Sequence, residues 1–392
     1  MKGRDNMINL SYLKEKFFEI FGGGGEVLCF FSPGRVNLIG EHIDYNGGYV
    51  FPGALSLGIY GVLRYRNDNT VRLKSLNAPE YVTFNLDENI EYKSEDGWGN
   101  YPKGVMRLLL QKGYTLKGCD ILYSGDLPDG AGLSSSAAIE VLTGYMMLYS
   151  SLKDDIDRVK LSLMCQEVEN KFIKVNCGIM DQFSVAMGRK NNAILLDCNS
   201  LDYKYIPFVM DKHSLVIMNT NKKRGLADSK YNERRAECEK ALEIIRQNKE
   251  ISNLCEAEIE DVLSLIKDET LLKRARHVVS ENNRVLKAVE VLNEGNIEEF
   301  GKLLNDSHKS LKEDYEVTGL HLDTIVEAAQ SFKGCIGARM TGAGFGGCAI
   351  AIVENEKIDE FKDYVSNYYS NKTEIIPSFY VSVIGDGVKF LG

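Results

Sequence analysis

No run of about 18 uncharged apolar residues, the length that a membrane-crossing helix needs, occurs in the 392-residue sequence. The first 22 residues, MKGRDNMINLSYLKEKFFEIFG, carry charges throughout and lack the continuous apolar core of a signal peptide, so a cytoplasmic location is expected. No two of the nine cysteines form a CxxC pair, and no Cys/His cluster has zinc spacing. Scattered thiols in odd number fit free, mostly buried side chains in a reducing compartment, and a structural metal held by Cys and His is not expected. Positive charge is not in excess: 47 Lys and Arg against 56 Asp and Glu leave a net charge of -9, which excludes a general nucleic-acid-binding surface. A small basic cleft for a nucleotide remains open. Proline is scarce, with 7 residues, and no repeat, low-complexity tract or flexible linker interrupts the chain. At this length and with 44% hydrophobic residues, two packed domains meeting over a rigid cleft are expected.

What is present reads as strands and long helices together, an α+β arrangement. Residues 9–21 have helical spacing and stop at a glycine run, and Val27–Phe31 is strand-like and leads into Ser32-Pro33-Gly34-Arg35. Leu55–Arg66 and Thr70–Leu76 read as sheet, the segment around Asp87–Gly99 as loop, and Tyr101–Gln111 as helix. Cys119–Ser124 is a strand followed by a Gly-rich turn and an apolar helix near 137–149, with a second helix over Asp155–Phe172. A second domain begins with the strand His213–Asn219, placing the domains at residues 1–208 and 209–392, and the last strand is expected to pack back on the first domain.

Two Gly-rich stretches and three polar segments bear on chemistry. Residues 125–138, GDLPDGAGLSSSAA, put closely spaced glycines and three serines at a helix start. Free backbone N–H groups there can hold phosphate oxygens, the helix dipole favours negative charge, and a serine hydroxyl can ligate Mg²⁺. The stretch has no lysine and so is not the GxxxxGK[ST] loop; a Gly-rich turn capped by serine fits the residues equally well. Residues 341–347 hold four glycines, which suits either close backbone approach or a tight turn. Residues 34–48, GRVNLIGEHIDYNGG, pack directional donors and acceptors of the kind that match sugar hydroxyls, although a solvated loop has the same content. In CGIMDQF, Asp181 stands alone among apolar residues; paired with a cation it could orient or deprotonate a hydroxyl, and a helix cap is the plainer alternative. The basic residues of 220–235 read as a mostly solvated face, with Tyr231 among them able to reach a ligand.

Together these segments resemble the galactokinases, within the larger superfamily of homoserine, mevalonate and phosphomevalonate kinases. PGRVNLIGEHIDYNGG is similar to the galactokinase signature, GDLPDGAGLSSSAA to the superfamily's phosphate-binding motif, and RMTGAGFGGC to its third motif; CGIMDQF, RARHVVSENNRV and SHKSLKEDYEVTG have counterparts in the same order. The resemblance implies an α+β two-domain small-molecule kinase with its active site in the interdomain cleft. It implies transfer of the ATP γ-phosphoryl to the C1 hydroxyl of α-D-galactose, with ATP as co-substrate and Mg²⁺ as the ion. Asp181 matches the catalytic aspartate and Arg35 the arginine beside it. Glu41, His42, Asp44, Gly178 and Tyr231 match sugar-contacting positions. Gly130, Ala131, Gly132, Leu133, Ser134, Ser135 and Ser136 match the phosphate wrap, Trp98 an aromatic near adenine, and Ser136 (or its neighbour Ser135) with Glu169 the ion ligands. Galactose and Mg·ATP are the partners so implied, with no nucleic acid and no membrane; the chain is expected as a monomer, a dimer being the alternative. Ile43 and the Gly319-Leu320-His321 stretch depart from the usual galactokinase pattern, and isoleucine at 43 is shared with N-acetylgalactosamine kinases. Galactose is the favoured sugar, N-acetylgalactosamine the alternative, and a non-catalytic galactose sensor the reading from another class.

Overall fold

The computed structural model describes residues 9–127, 132–222 and 227–392. Its strands are β1 (Leu28–Asn37), β2 (Tyr49–Val50), β3 (Pro52–Tyr65), β4 (Thr70–Ser75), β5 (Tyr81–Asn85), β6 (Cys119–Gly125), β7 (Asn192–Asp197), β8 (Tyr203–Pro207), β9 (His213–Asn219), β10 (Cys335–Thr341), β11 (Cys348–Glu354), β12 (Ser378–Ser382) and β13 (Lys389–Phe390). Its helices are α1 (Leu10–Phe21), α2 (Asn100–Gln111), α3 (Ser135–Leu152), α4 (Arg158–Val168), α5 (Met180–Met187), α6 (Ala227–Arg246), α7 (Ile259–Leu265), α8 (Glu269–Asn293), α9 (Ile297–Glu313), α10 (Gly319–Ser331) and α11 (Ile358–Thr373).

The strands form three sheets: a six-stranded one ordered β13-β1-β3-β6-β4-β5, a four-stranded one ordered β10-β11-β9-β12, and a three-stranded one ordered β2-β7-β8. All pairs are antiparallel except β4 with β6. The C-terminal β13 closes the edge of the first sheet, Phe30 opposite Phe390, and Phe390 stacks on Tyr149 of α3.

Sequence chemistry explains the elements nearest the cleft. In α1, Asn9 caps the first turn by accepting the Ser11 N–H, and Leu13, Phe17 and Phe21 fall on one face against Cys29, Phe31 and Tyr60. Helix α3 is buried from Ala137 to Leu148, so it has no solvent face and runs through the first domain with its serine-rich start at the cleft. The single helix read over 155–172 is instead α4 followed by a π turn, Glu169–Ile173, which widens the last turn. Within the expected loop, a 3₁₀ turn over Ser94–Gly99 carries Trp98 and is tied by Asn100, whose amide bonds the backbone of Lys93 and Gly97.

In the second domain, β10 lies on α9 through two glycines. A Cβ on Gly337 would sit 2.1 Å from the Gly301 carbonyl oxygen, and one on Gly301 would sit 2.3 Å from that of Ile336. This backbone contact sets the height of β10 and the Gly-rich turn that follows it. Gly337→Val is expected to lower unfolding stability by about 3 kcal/mol, because neither backbone can yield without moving its element. Urea unfolding followed by far-UV circular dichroism checks it; an unchanged midpoint would mean that α9 and β10 separate freely.

Candidate active site

Strand β1 shifts register between Pro33 and Arg35, and this bulge turns Arg35 toward the cleft. Gly34 makes the turn possible: a side chain there would meet Leu127 and the Leu133 carbonyl at 2.6 and 2.8 Å. The Arg35 N–H donates to that same carbonyl, 3.2 Å away. Its guanidinium donates from Nε to Asp181 Oδ1 at 2.7 Å and from Nη1 to the Gly132 carbonyl at 2.7 Å, and Nη2 is also 2.7 Å from Asp181 Oδ1. Asp181 stands in the first turn of α5, where the helix dipole favours an anion. Its other oxygen, Oδ2, accepts the Ser134 hydroxyl at 2.5 Å. Ser134 precedes α3 in a left-handed conformation, φ 61°, which aims its hydroxyl at Asp181.

Behind this pair lies an acidic group. Glu169, on the π turn, takes the Gln182 amide at 2.6 Å and lies in hydrogen-bonding reach of the Ser136 hydroxyl. Burial and the nearby Asp181 raise its carboxyl above the ordinary range. Glu140, one turn into α3 from Ser136, is fully buried; burial, then Glu169, pushes its carboxyl far up, and its Oε1 has no partner among the described residues. A hydroxyl and a carboxylate facing one cavity are hard oxygen donors of the kind that suit Mg²⁺.

The turn after β1 forms the opposite wall. Glu41 is buried, its Oε1 accepting Thr341 Oγ1 at 3.0 Å and the Gly342 N–H at 2.8 Å, its Oε2 accepting Asn37 Nδ2 at 3.1 Å. His42, at φ 64°, shares a 2.9 Å hydrogen bond through Nδ1 with the Tyr45 hydroxyl, which meets that of Tyr315 at 2.8 Å. Burial, with His277 near, pushes His42 down to about 3, so its ring is neutral at pH 7. Burial, reinforced by Asp181 and Glu41, pushes Asp44 up to about 6. Gly178 lies against it, with room for no side chain: a Cβ would stand 2.1 Å from Asp44 Oδ2. The Tyr231 ring, from α6, closes over this wall 5.7 Å from His42 and 5.3 Å from Tyr45.

These groups line one cavity of about 390 Å³, which holds Arg35, Glu41, His42, Asp44, Gly132, Ser134, Ser135, Ser136, Glu169, Gly178, Asp181 and Tyr231. A second, of about 220 Å³, adjoins it through Tyr101, Ser135 and Ser136 and is walled by Ile59, Tyr123, Ile139 and Trp98, whose indole N–H has no partner among the described residues. Leu133 is buried beneath the two cavities' shared serine turn, while Gly130 and Ala131 fall outside the described residues. Gln182, Thr341 and Gly342 touch the site's carboxylates without having been singled out from sequence. Their signals were adjacency to Asp181 and membership of the second Gly-rich stretch.

Comparison with known proteins agrees along the whole chain. Residues 15–65 match the galactokinase galactose-binding signature, 100–189 the N-terminal domain of the GHMP kinases, and 288–371 their C-terminal domain. The chain is 55% identical over 390 residues to a galactokinase of Clostridium tetani, covering 99% of each, and 54% identical over 385 residues to one of Fusobacterium nucleatum, covering 96% of this chain and 98% of the other. A crystal structure of Lactococcus lactis galactokinase complexed with galactose superposes with a TM-score of 0.92 at 48% identity, covering 97% of this chain and 100% of that one. Methanococcus jannaschii mevalonate kinase, at 21% identity and a TM-score of 0.68, shares the fold.

The shift at Asp44 has a consequence for stability. Its carboxyl moves from 3.8 in the unfolded chain to about 6 when folded. Between those values the folded state keeps a proton that the unfolded state has shed, so stability falls as pH rises and levels off above the folded value. Asp44→Asn lacks this titration. The variant is therefore expected to gain on wild type steadily from about pH 4 to about pH 6 and no further, in thermal unfolding across that range. Curves that stay parallel from pH 4 to 7 would show that Asp44 titrates normally.

Proposed function

The chain belongs to the galactokinase family, and we infer from this that it transfers the γ-phosphoryl group of ATP to galactose, forming galactose 1-phosphate and ADP. The observation that carries the chemistry is the Arg35–Asp181–Ser134 contact at the mouth of the serine-rich helix. Galactose sits in the larger cavity with its C1 hydroxyl, in the α configuration, at Asp181. Asp181 accepts the hydroxyl's proton as the O1–phosphorus bond forms and the bond from phosphorus to the β-bridging oxygen breaks, ADP taking that electron pair. Arg35 holds the Asp181 carboxylate in place and offsets charge on the phosphoryl oxygens. Glu41, His42, Asp44, the Gly178 backbone and Tyr231 bond the other hydroxyls. His42, neutral, can donate to or accept from a hydroxyl without placing a charge there.

The backbone at Gly132 to Ser136 and the start of α3 hold the phosphates, with the adenine in the smaller cavity beside Trp98. Ser136 and Glu169 would hold Mg²⁺, which would neutralise phosphate charge. Most of the acceleration comes from positioning and fixed charge, since phosphoryl transfer leaves little covalent chemistry to the protein. Residues 1–208 and 209–392 form the two domains on either side of this cleft, and the chain acts in solution, away from membranes and nucleic acid, as a monomer.

Two measurements test this reading. ADP release with mass identification of the product, run with galactose, N-acetylgalactosamine, glucose and arabinose, is expected to favour galactose, and Asp181→Asn to lower kcat by about 10³-fold with the sugar still bound. N-acetylgalactosamine as the preferred sugar would overturn the substrate, and binding without turnover in wild type would make the chain a sensor. Glu169→Gln is expected to raise the Mg²⁺ concentration for half-maximal activity about tenfold while leaving galactose KM in place; an unchanged Mg²⁺ requirement would remove Glu169 from the ion site.

A further inference from the structure

The turn Asn37–Glu41 is buried, and its backbone polar groups are met mainly by side chains that lie more than 200 residues away. Arg339 Nη1 donates to the carbonyls of Asn37 and Leu38 at 3.1 and 3.0 Å. The Gly40 N–H donates to Glu281 Oε1 at 2.9 Å, and the Glu41 carbonyl lies 3.1 Å from His277 Nε2, which must be the donor because a carbonyl cannot be. The Ile39 carbonyl takes the Phe51 N–H at 3.1 Å. The peptide between residues 39 and 40 is thus held at its oxygen by Phe51 and at its nitrogen by Glu281.

Glu281 is itself fixed. Its Oε1 also accepts the Ser307 hydroxyl at 2.6 Å, and its Oε2 accepts Arg284 Nε at 2.7 Å. Arg284 Nη2 donates to Ser280 at 3.0 Å. Arg284, His277 and Arg339 hold the Glu281 carboxyl down to about 2 despite complete burial. Arg339, fully buried, stands 3.3 Å from Glu41. Charges therefore alternate beneath the turn in the order Glu41, Arg339, Glu281, Arg284, and sum to zero.

This array bears on His42. A non-glycine residue at φ 64° is strained and keeps that conformation only where its surroundings over-determine it. The peptide entering His42 is held at the Glu41 carbonyl by His277, and the turn before it is held at Gly40 by Glu281. Gly40, at φ 101°, has no space to shift: a Cβ would lie 2.9 Å from both the Tyr49 carbonyl and Val285.

We propose that Glu281, held by Arg284 and Ser307, is a positioning residue for sugar recognition, fixing the Gly40 amide so that the turn delivers Glu41, His42 and Asp44 to the sugar. It rests on the reading that this turn contacts galactose. Glu281 reaches neither the nucleotide cavity nor Asp181, so its loss acts on the sugar side alone.

The test is steady-state kinetics of the full chain, with galactose varied at saturating Mg·ATP and ATP varied at saturating galactose. Glu281→Ala is expected to raise galactose KM about 30-fold, leaving ATP KM unchanged and kcat within about threefold. Glu281→Gln, whose amide oxygen still accepts the Gly40 N–H, restores most of the affinity. If Glu281→Ala does not fold, Arg284→Met decides, since Arg284 reaches the surface; it is expected to raise galactose KM about fivefold, again without moving ATP KM. A galactose KM that stays at the wild-type value, or galactose and ATP KM values that rise together, overturns the proposal. His42→Ala is measured alongside. If it raises galactose KM and the Glu281 and Arg284 variants do not, only the positioning role falls; if it leaves galactose KM unchanged, the reading of the turn falls and the positioning role with it.

Discussion

The carboxylate of Glu41 joins the two halves of the molecule at the floor of the cleft. It comes from the first domain's turn, and three of its four neighbours, Arg339, Thr341 and Gly342, belong to the second. A buried ionic network of this sort contributes little as net attraction, because desolvation offsets most of the Coulomb gain. Its effect is geometric. Removal of any one partner strands a charge, so the turn and the Gly-rich stretch hold a single relative position. The backbone bulge that sends Arg35 to Asp181 ends two residues upstream of Asn37, whose side chain bonds the same Glu41 carboxylate.

The constraint also divides the cleft into a stiff side and a freer one. Around the larger cavity, side chains from β10 and α8 bond the backbone of the turn directly. The smaller cavity is walled by residues 59–139 alone, from β3, β4, β6, α2 and α3 with the 3₁₀ turn that carries Trp98. The larger cavity thus draws on distant parts of the chain, whereas the smaller one draws on a single stretch.

Much of this was legible in the sequence because the chemistry is local. The serine run at a helix start, the isolated Asp181 and the polar turn 34–48 each carry a suggestive pattern within a few residues that also fits a plain structural role, and one cavity gathers them. The turn of α4 into a π bulge was not legible, since nothing in the helical spacing of residues 155–172 marks the extra residue in one turn. Nor was the array beneath the turn. Arg339 lies in the apolar run CIGARM, and His277 and Glu281 flank Val278 and Val279; charged groups beside buried positions are the only trace they leave. Such residues look misplaced until the partners supplied by distant segments are known, because burial of a charge is explained by pairing and pairing is a property of the fold.

Charge in the cleft needs separate account, because an acidic chain here receives a polyanionic nucleotide. Three carboxyl groups, Glu140, Glu169 and Asp181, stand near the serine-rich turn. Full burial, then the repulsion of Glu169, pushes the Glu140 carboxyl far up, toward its uncharged form. Asp181 is compensated by Arg35, which bonds it twice through one oxygen. Among the described residues the partners of Glu169 are the amide of Gln182, the hydroxyl of Ser136 and the thiol of Cys177, and burial, then Asp181, raises its carboxyl. The net charge of the chain is therefore a poor guide to the cleft, where burial pushes the Glu140 carboxyl far up and Arg35 pairs with Asp181.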